Sequence, residues 1–300
     1  MKKSISLLIG LFAALCLECQ AAAAADLLDP NPQMGSVSSA IRNANNQIGL
    51  RATDTGFHYL ETNDPAFNQS GPLDEERGWV PGLALNFSEM QDVGVKNLYV
   101  DVQLSWSQGH TKYIGGLIGP PPTPFGSIVS RSGAKVFDSD FRFGEGFDMG
   151  SSAMLTPYLG FGSHSWNRGV NAGEIYSHYY VGAGLMAQVS PFDATVLSAY
   201  GLVGTTLDSQ IKVAGDPTIA GFSSLLRNSV LFKFGASVDY ALTRQLHLSA
   251  GFDSVAFNYG ASKPVQVAGY LGTTPVVFSA NEPNSKSLDT TVNIGLGYGF

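Results

Sequence analysis

The sequence predicts an all-β fold: a closed antiparallel up-and-down transmembrane β-barrel of about 10 strands, with about 8 or about 12 as alternatives. Three observations predict it. Apolar and polar residues alternate in many segments, short and long connections alternate between these segments, and no apolar run reaches the ~18 residues of a helical span. Charged residues make up only 14% of the chain and glycines number 35, a composition unusual for a soluble enzyme.

The N-terminal region has the pattern of a secretory signal peptide, which we expect to be removed after residues 1–25. Lys2 and Lys3 form a cationic start, residues 5–17 are apolar, and residues 21–25 are small and offer cleavage sites. The apolar run is shorter than the ~20 residues that a membrane-spanning helix needs. The pattern therefore predicts export through the inner membrane rather than an anchor.

Composition also excludes several classes of function. Cys16 and Cys19 lie in the predicted signal peptide, so disulfides are not expected in the mature chain. The net charge is −7 and there is no basic patch, which argues against a nucleic-acid partner. No phosphate-binding loop, dinucleotide fingerprint, zinc spacing or nucleophile elbow is present, so we expect no cofactor, no metal and no catalytic residues.

Ten segments show the side-chain period of two that marks a β-strand. In the third, for example, Val100 and Val102 alternate with Asp101 and Gln103. Each segment is longer than the ~9–11 residues that a tilted strand needs to cross a bilayer. The segments are 46–60, 79–90, 97–110, 134–146, 153–164, 174–190, 194–208, 229–243, 245–261 and 287–300.

The connections between these segments alternate in length. The short ones are 91–96, 147–152, 191–193 and 243–245; the long ones are 61–78, 111–133, 165–173, 209–228 and 262–286. Long loops on one side and tight turns on the other are typical of single-chain outer-membrane barrels, with both termini in the periplasm. We therefore expect a barrel over residues 46–300, preceded by a periplasmic segment, residues 26–45, with a short helix near residues 36–46.

The last predicted strand carries the sharpest motif. Polar or glycine residues alternate there with one apolar face, formed by Val292, Ile294, Leu296, Tyr298 and Phe300. This strand resembles the C-terminal strand of outer-membrane β-barrels, whose terminal aromatic residue is read by the barrel-assembly machinery. The resemblance implies that these five residues form a barrel-assembly signal.

In its architecture the whole mature chain resembles the small OmpA-like and opacity-type porin superfamily, without the peptidoglycan-binding domain of its larger members. The resemblance implies a monomer in the outer membrane of a Gram-negative bacterium. Its partners would be outer-membrane lipid and lipopolysaccharide, and the assembly machinery during biogenesis.

Polar residues on the opposite strand faces are expected to point into the lumen. The interior of a small barrel is only wide enough for side chains, and buried charges must be paired, so the pattern predicts a polar ionic core. A narrow pore lining is the alternative, and it would favour cations because acids outnumber bases. The residues are Arg51, Asp101, Asp138, Asp140, Arg142, Lys233, Asp239, His247, Asp253 and Asp289.

Histidine and aromatic residues suggest further roles. His58, His110, His164 and His178 are predicted to lie toward the long loops, as rim residues. Outer-membrane proteases resembling the omptin family use carboxylate pairs and an Asp–His pair at the outer mouth, and Asp138, Asp140 and His178 match that arrangement in depth alone. Interfacial girdles are expected from Trp79, Trp106, Tyr113, Tyr158, Trp166, Tyr176, Tyr179, Tyr180, Tyr240 and Tyr298.

The sequence therefore predicts a non-enzymatic barrel with a structural or surface-interaction role, which anchors five exposed loops and allows at most minor passive diffusion of small solutes. A dedicated channel or receptor for a small solute is the first alternative. An outer-membrane hydrolase with an active site at the rim is the second.

Overall fold

The computed structural model describes residues 37–62, 72–116 and 123–300. The predicted signal peptide, residues 1–25, lies outside the described residues. So does the predicted periplasmic segment up to residue 36.

The described chain has one helix followed by fourteen strands. The helix α1 is Val37–Ala44. The strands are β1 (Gln47–Glu61), β2 (Asp74–Val93), β3 (Val95–Gly115), β4 (Ile128–Glu145), β5 (Phe147–Asp148), β6 (Ala153–Arg168), β7 (Glu174–Phe192), β8 (Thr195–Val213), β9 (Phe222–Leu225), β10 (Val230–Ala241), β11 (Leu246–Tyr259), β12 (Val265–Leu271), β13 (Thr274–Ala280) and β14 (Ser285–Gly299).

Within these described residues, ten strands form a closed antiparallel barrel. Their order around the barrel is β1, β2, β3, β4, β6, β7, β8, β10, β11 and β14, and β14 pairs with β1 along its whole length, from Gln47 opposite Gly299 to Glu61 opposite Ser285. The short strands β5 and β9 extend the sheet beside β6 and β8, and β12 and β13 form a separate hairpin. The predicted fold class and strand number are confirmed.

The alternation of the sequence appears as two faces of the barrel wall. Apolar side chains cover the outside: Leu50 is 57% exposed, Leu83 is 52% exposed and Phe232 is 52% exposed. A continuous exposed apolar band is incompatible with a water-surrounded surface and fits contact with lipid. Among the described residues, no helix has both the length and the apolar character that a membrane span requires.

The two ends of the barrel differ. The end that carries the chain termini and the tight turns is called the turn end here, and the opposite end is called the loop end. At the loop end the connections are 62–73, 116–127, 169–173, 214–229 and 260–284. The strands extend further toward this end than predicted: β2 begins at Asp74 and β8 runs to Val213. The predicted loops 61–78 and 209–228 were therefore too long, because inward and outward side chains continue to alternate there with polar residues on both faces.

Helix α1 lies inside the lumen at the turn end. Ala40 and Ile41 are buried, and the helix contacts β6, β7 and β8. The side chain of Asn45 donates to Oε1 of Gln188 at 2.7 Å, and Nε of Arg42 donates to Oδ1 of Asn97 at 2.8 Å. The helix thus fills the opening that ten strands leave at this end.

We expect Ile41→Asp to release α1 from the lumen, because Ile41 is 1% exposed and an unpaired buried carboxylate costs several kcal/mol. Trypsin should then cleave the folded, detergent-solubilised protein after Arg42, as detected by mass spectrometry. Asn43→Asp, on the exposed side of the same helix, is the matched control and should stay resistant. Equal resistance of both variants would show that the helix is not held by its apolar face.

Candidate functional site in the barrel lumen

The lumen is filled by side chains rather than open. Two cavities of about 90 Å³ each lie inside it, with room for a few water molecules. Both are lined by Arg51, Arg142, Tyr200 and Asp253, so these residues lie between the two spaces. All ten polar residues predicted for the lumen lie on the inward faces of their strands, and nine of them line one or both cavities.

An ionic layer, which we call the Arg142 layer, crosses the middle of the barrel. Lys233 on β10 contacts Asp140 on β4, and the hydroxyl of Tyr180 on β7 donates to Oδ2 of Asp140 at 2.7 Å. Nε of Arg142 lies 3.3 Å from Oδ1 of Asp140 and 3.9 Å from Oδ1 of Asp101. Because β10 and β4 lie on different sides of the barrel, these bonds bridge the lumen.

The guanidinium of Arg142 is also covered by an aromatic ring. Its central carbon lies 4.0 Å from the ring centroid of Tyr200, a cation–π geometry. The hydroxyl of Tyr200 donates to Asp253, and the amide of Asn293 donates to the other oxygen of Asp253 at 3.3 Å. Lys233 and Arg142 are thus paired with carboxylates, and Asp253 is held by two neutral donors.

A smaller polar cluster lies near the turn end, beside α1. Oδ1 of Asp239 is 2.6 Å from Nδ1 of His247, and Oδ2 accepts a hydrogen bond from Gln47 at 3.1 Å. Gln188, which bonds Asn45, continues the network below the helix. His247 is the one predicted lumen residue that lines neither cavity, and it is buried within this cluster.

Two histidines lie in the lumen on the loop-end side of the ionic layer. Nδ1 of His164 is 2.7 Å from Oδ1 of Asp138, and Nδ1 of His178 is 2.8 Å from the hydroxyl of Tyr259. The two imidazole rings are 5.2 Å apart, and Asp289 lines the same cavity. The prediction that all four loop-side histidines are rim residues was wrong for His164 and His178, which are buried, because they share the inward face of their strands.

A layer of aromatic rings covers these histidines. Ring centroids are separated by 5.2 Å between Tyr59 and Trp166, by 5.6 Å between Tyr59 and Tyr176, and by 5.5 Å between Tyr176 and Tyr259. Phe57 stacks on Trp166 from the other side, at 6.1 Å. These rings come from β1, β6, β7 and β11, so the layer spans the barrel and leaves the histidines without direct access from the loop end.

This layer corrects the predicted aromatic girdle. Trp79, Trp106, Tyr179 and Tyr240 are exposed on the outer wall, where a girdle belongs. Five of the aromatic residues expected there are instead buried inside the barrel: Tyr113, Tyr158, Trp166, Tyr176 and Tyr180. Their positions follow strand parity, since each lies an even number of residues from an inward polar neighbour on its own strand.

A second ionic layer, which we call the Arg168 layer, closes the lumen above the aromatic rings. The guanidinium of Arg168, with 0% of its side chain exposed, donates to Glu76 at 2.9 Å, to Glu174 at 3.0 Å and to Asp74 at 3.1 Å. It also lies 3.4 Å from Oε1 of Glu61. One cation thus holds four carboxylates that come from three other strands.

A fifth carboxylate enters this layer from a loop. Glu282, between β13 and β14, accepts hydrogen bonds from the hydroxyls of Tyr176 at 2.5 Å and Tyr59 at 3.3 Å. Burial raises the pKa of Glu282 to about 7, an effect opposed by the bond from Tyr176 and by the charge of Arg168. The loop before β14 is therefore tied to the centre of the barrel through its acid.

Sequence reasoning missed the Arg168 layer because its strands were predicted to end too early. The second segment was begun at residue 79 and the fifth ended at 164, which left Asp74, Glu76 and Arg168 in loops. A signal was present in the alternation. Asp74, Glu76 and Val80 lie at alternate positions of β2 and so share its inward face. His164, Trp166 and Arg168 share the inward face of β6 in the same way. Only the apolar partners that normally mark the outward face are absent there.

The predicted assembly-signal residues line the outer wall at the closure of the barrel. Val292, Ile294, Leu296 and Phe300 are exposed, and Tyr298 is half-buried. The ring of Phe300 stacks on Phe87 at 5.7 Å, and its backbone N–H donates to the carbonyl of Asn46 at 3.2 Å. These contacts place the apolar face of β14 toward lipid, and the recognition role remains a prediction.

The lumen holds one pair of groups that can exchange a proton, Asp138 and His164. The pair faces a cavity that lies between the aromatic rings and the Arg142 layer. In the described part of the chain, no group of three or more histidine, cysteine or acidic residues is arranged to hold a metal ion.

Comparison with known proteins supports the fold. No protein-family model and no curated protein matches the sequence. Among solved structures, the outer membrane protease OmpT from Escherichia coli is 8% identical with a TM-score of 0.57, and the match covers 85% of this chain and 97% of OmpT. The translocator domain of the autotransporter NalP from Neisseria meningitidis is 11% identical with a TM-score of 0.35, over 88% of this chain and 92% of that domain.

A third match is Ail, the attachment invasion locus protein of Yersinia pestis, at 9% identity and a TM-score of 0.28, over 85% of this chain and 99% of Ail. At these identities only the fold is shared, and the match to OmpT carries that conclusion. The predicted resemblance to small outer-membrane β-barrels is confirmed at this level.

We expect Arg168→Met to destabilise the barrel by about 3–5 kcal/mol, because it leaves four buried carboxylates without their cation. Urea unfolding of the detergent-solubilised protein, followed by tryptophan fluorescence, measures the change. Adding Glu76→Gln to this variant should recover part of the loss. Arg244→Met, at an exposed turn, is the control, and an equal effect of the two single variants would contradict the role of the layer.

The buried carboxyl of Glu282 should make the stability of the protein depend on pH. Because Glu282 binds its proton more tightly in the folded chain than in the unfolded chain, its contribution to the free energy of unfolding falls as pH rises from about 4.5 to about 7 and stays low above that. Glu282→Gln keeps an oxygen for Tyr176 and removes the charge. It should therefore stabilise the protein at pH 8, by at most about 3 kcal/mol, and have little effect at pH 4.

Urea unfolding at the two pH values measures this difference. Asp193→Asn, in an exposed turn, is the matched control and should change stability at neither pH. A Glu282→Gln effect of the same size at pH 4 and pH 8 would mean that ionisation of this carboxyl does not oppose folding.

Proposed function

We propose that this chain is an integral outer-membrane protein whose barrel does not conduct solutes and instead serves as a structural scaffold that presents its five loop-end connections at the cell surface. The observation that carries the proposal is the filled lumen. Helix α1, the Arg142 layer, the aromatic rings and the Arg168 layer each cross the interior at a different depth.

The membrane part of the proposal is supported by the exposed apolar wall and by the fold shared with OmpT. The predicted signal peptide supports export, and the apolar face of β14 supports assembly by the barrel-assembly machinery. Among the described residues, the pairing of β1 with β14 leaves the ring of ten strands without an open edge, which supports a monomer.

The channel alternative has less support from the lumen. The two cavities are of about 90 Å³ each, and Arg142, which is paired with Asp140 and Asp101, lies between them. An ion that passed would have to break these buried ion pairs. The excess of acids in the Arg168 layer would favour cations over anions if the layer opened.

The hydrolase alternative rests on one observation, the 2.7 Å contact between His164 and Asp138. OmpT is an outer membrane protease. In this chain the Asp–His pair lies beneath Tyr59, Trp166 and Tyr176, where a peptide or a lipid cannot reach it. This pair is therefore not part of a rim active site, and we propose no enzymatic activity.

We expect the purified protein to produce no stepwise conductance in planar bilayers at neutral pH. Insertion must be demonstrated on the same preparation, by resistance of the proteoliposomes to carbonate extraction and by the shift in gel mobility between unheated and heated samples. Discrete conductance steps from protein inserted in this way would overturn the proposal of a closed lumen.

A further inference from the structure

Three cations form a row on the outer wall near the loop end. Arg77 on β2 is the register partner of Lys112 on β3, and Lys112 is the register partner of Arg131 on β4. All three side chains point outward and are exposed. Neighbouring strands lie about 4.8 Å apart, and like charges directly opposite one another destabilise a sheet. We call this the cation row, and a bound anion would relieve the repulsion between its positive charges.

The protein itself neutralises little of this charge. Glu75 lies 3.4 Å from Nη1 of Arg77 and 3.7 Å from Nε2 of His58, so it is shared between two groups. In the described residues, no carboxylate lies within 4.0 Å of the cationic nitrogens of Lys112 or Arg131. Most of the positive charge is thus free for an external partner.

Neighbouring side chains extend the row into a polar groove. Nη2 of Arg131 lies 3.1 Å from Nδ1 of His110, where the guanidinium donates to the imidazole. Beside them, a groove of about 240 Å³ is lined by His110, Gly133, Lys135 and Asn167. Gly133 separates Arg131 from Lys135 on the outward face, and a side chain placed there would meet no atom within 4 Å.

The height of the row on the wall identifies the kind of partner. Trp79 is the next outward residue below Arg77, and Trp106 and Phe137 are exposed further down β3 and β4. Exposed aromatic residues mark the border between acyl chains and headgroups. The cation row lies on the loop-end side of that border, at the level of lipid headgroups rather than of free solution.

Among the described residues, cations in adjacent register occur only on this side of the barrel. On the opposite wall Lys212 of β8 is the register partner of Ile175 and Ser223, and Lys286 of β14 is the register partner of Leu60 and Asn258. A general attraction to anionic membranes would not need three cations in adjacent register. The arrangement on β2, β3 and β4 fits a discrete ligand.

We propose that the cation row, together with His110 and Lys135, binds the phosphate groups of a phosphorylated glycolipid in the outer leaflet, the lipid A part of lipopolysaccharide. The guanidinium groups of Arg77 and Arg131 offer paired donors that match phosphate oxygens, and Lys112 adds a point charge between them. Sugar hydroxyls find partners in Asn167 and His110, and the acyl chains follow the apolar wall below. The inference rests on the proposed orientation of the barrel, with its loop end outward.

The test compares lipid A binding by two triple variants of the full-length protein in nanodiscs, measured by native mass spectrometry. Arg77→Gln, Lys112→Gln and Arg131→Gln together should weaken binding on the order of 100-fold, at about fivefold per cation. Lys212→Gln, Lys263→Gln and Lys286→Gln remove the same charge from exposed positions elsewhere and should leave binding within about twofold. Equal losses in the two triple variants would overturn the proposal.

Two further arms make the result specific. Lipid A stripped of its phosphates, or phosphatidylglycerol, should bind the wild type and the cation-row variant equally and weakly; tight binding of either by the wild type would overturn a lipid A phosphate site. Gly133→Glu places a carboxylate between Arg131 and Lys135 at an unobstructed position and should weaken lipid A binding about fivefold. Heat-dependent gel mobility serves as the folding control and should be unaltered, since every changed side chain is exposed. Loss of lipid A binding with the barrel intact would then concern this proposal alone and leave the proposed scaffold role untouched.

Discussion

Every element of this molecule depends on the pairing of β14 with β1. An open sheet of nine or ten strands would expose two rows of backbone donors and acceptors, and in hydrocarbon each unpaired group costs several kcal/mol. Pairing from Gln47–Gly299 to Glu61–Ser285 removes both rows at once. Closure also divides the side chains into two sets, since alternate residues must face either lipid or the enclosed lumen. The apolar wall and the polar interior are thus two results of one constraint.

The enclosed lumen imposes its own constraint. A ring of ten strands leaves a space that side chains from one wall alone do not fill, so residues from opposite walls meet in layers. Lys233 reaches Asp140, Arg168 reaches Glu61, and Tyr176 meets Tyr259. Where the walls end at the turn end, helix α1 fills the remaining space. Charges are tolerated in this interior because their partners lie across the lumen, and removing one partner leaves the other unpaired.

Most of the fold could be predicted from the alternation of apolar and polar residues, because this pattern depends only on residues close together in the sequence. It located all ten barrel strands and the inward residues from Arg51 to Asp289. The prediction was wrong where residue type was used instead of position on the strand. Trp166 and Tyr176 were expected in a girdle because they are aromatic, although Trp166 shares a strand face with the inward His164. The Arg168 layer was not predicted for a related reason. Its residues lie on parts of the strands beyond the apolar wall, where the outward face is polar and the alternation is harder to recognise. Partners across the lumen, such as Lys233 and Asp140, follow from the tilt and register of the closed barrel, which local sequence does not encode.

Helix α1 ends at Ala44 and β1 begins at Gln47, so only residues 45 and 46 connect them. A tether of this length prevents the helix from docking far from the first strand. During biogenesis, the segment that occupies the interior is therefore delivered by the same strand that must meet β14 to complete the ring. The side chains that receive the helix come from β6, β7 and β8, which lie between β1 and β14 in chain order. Filling of the interior and closure of the ring are thus expected to be coupled steps, which would keep an unfilled barrel from persisting in the membrane.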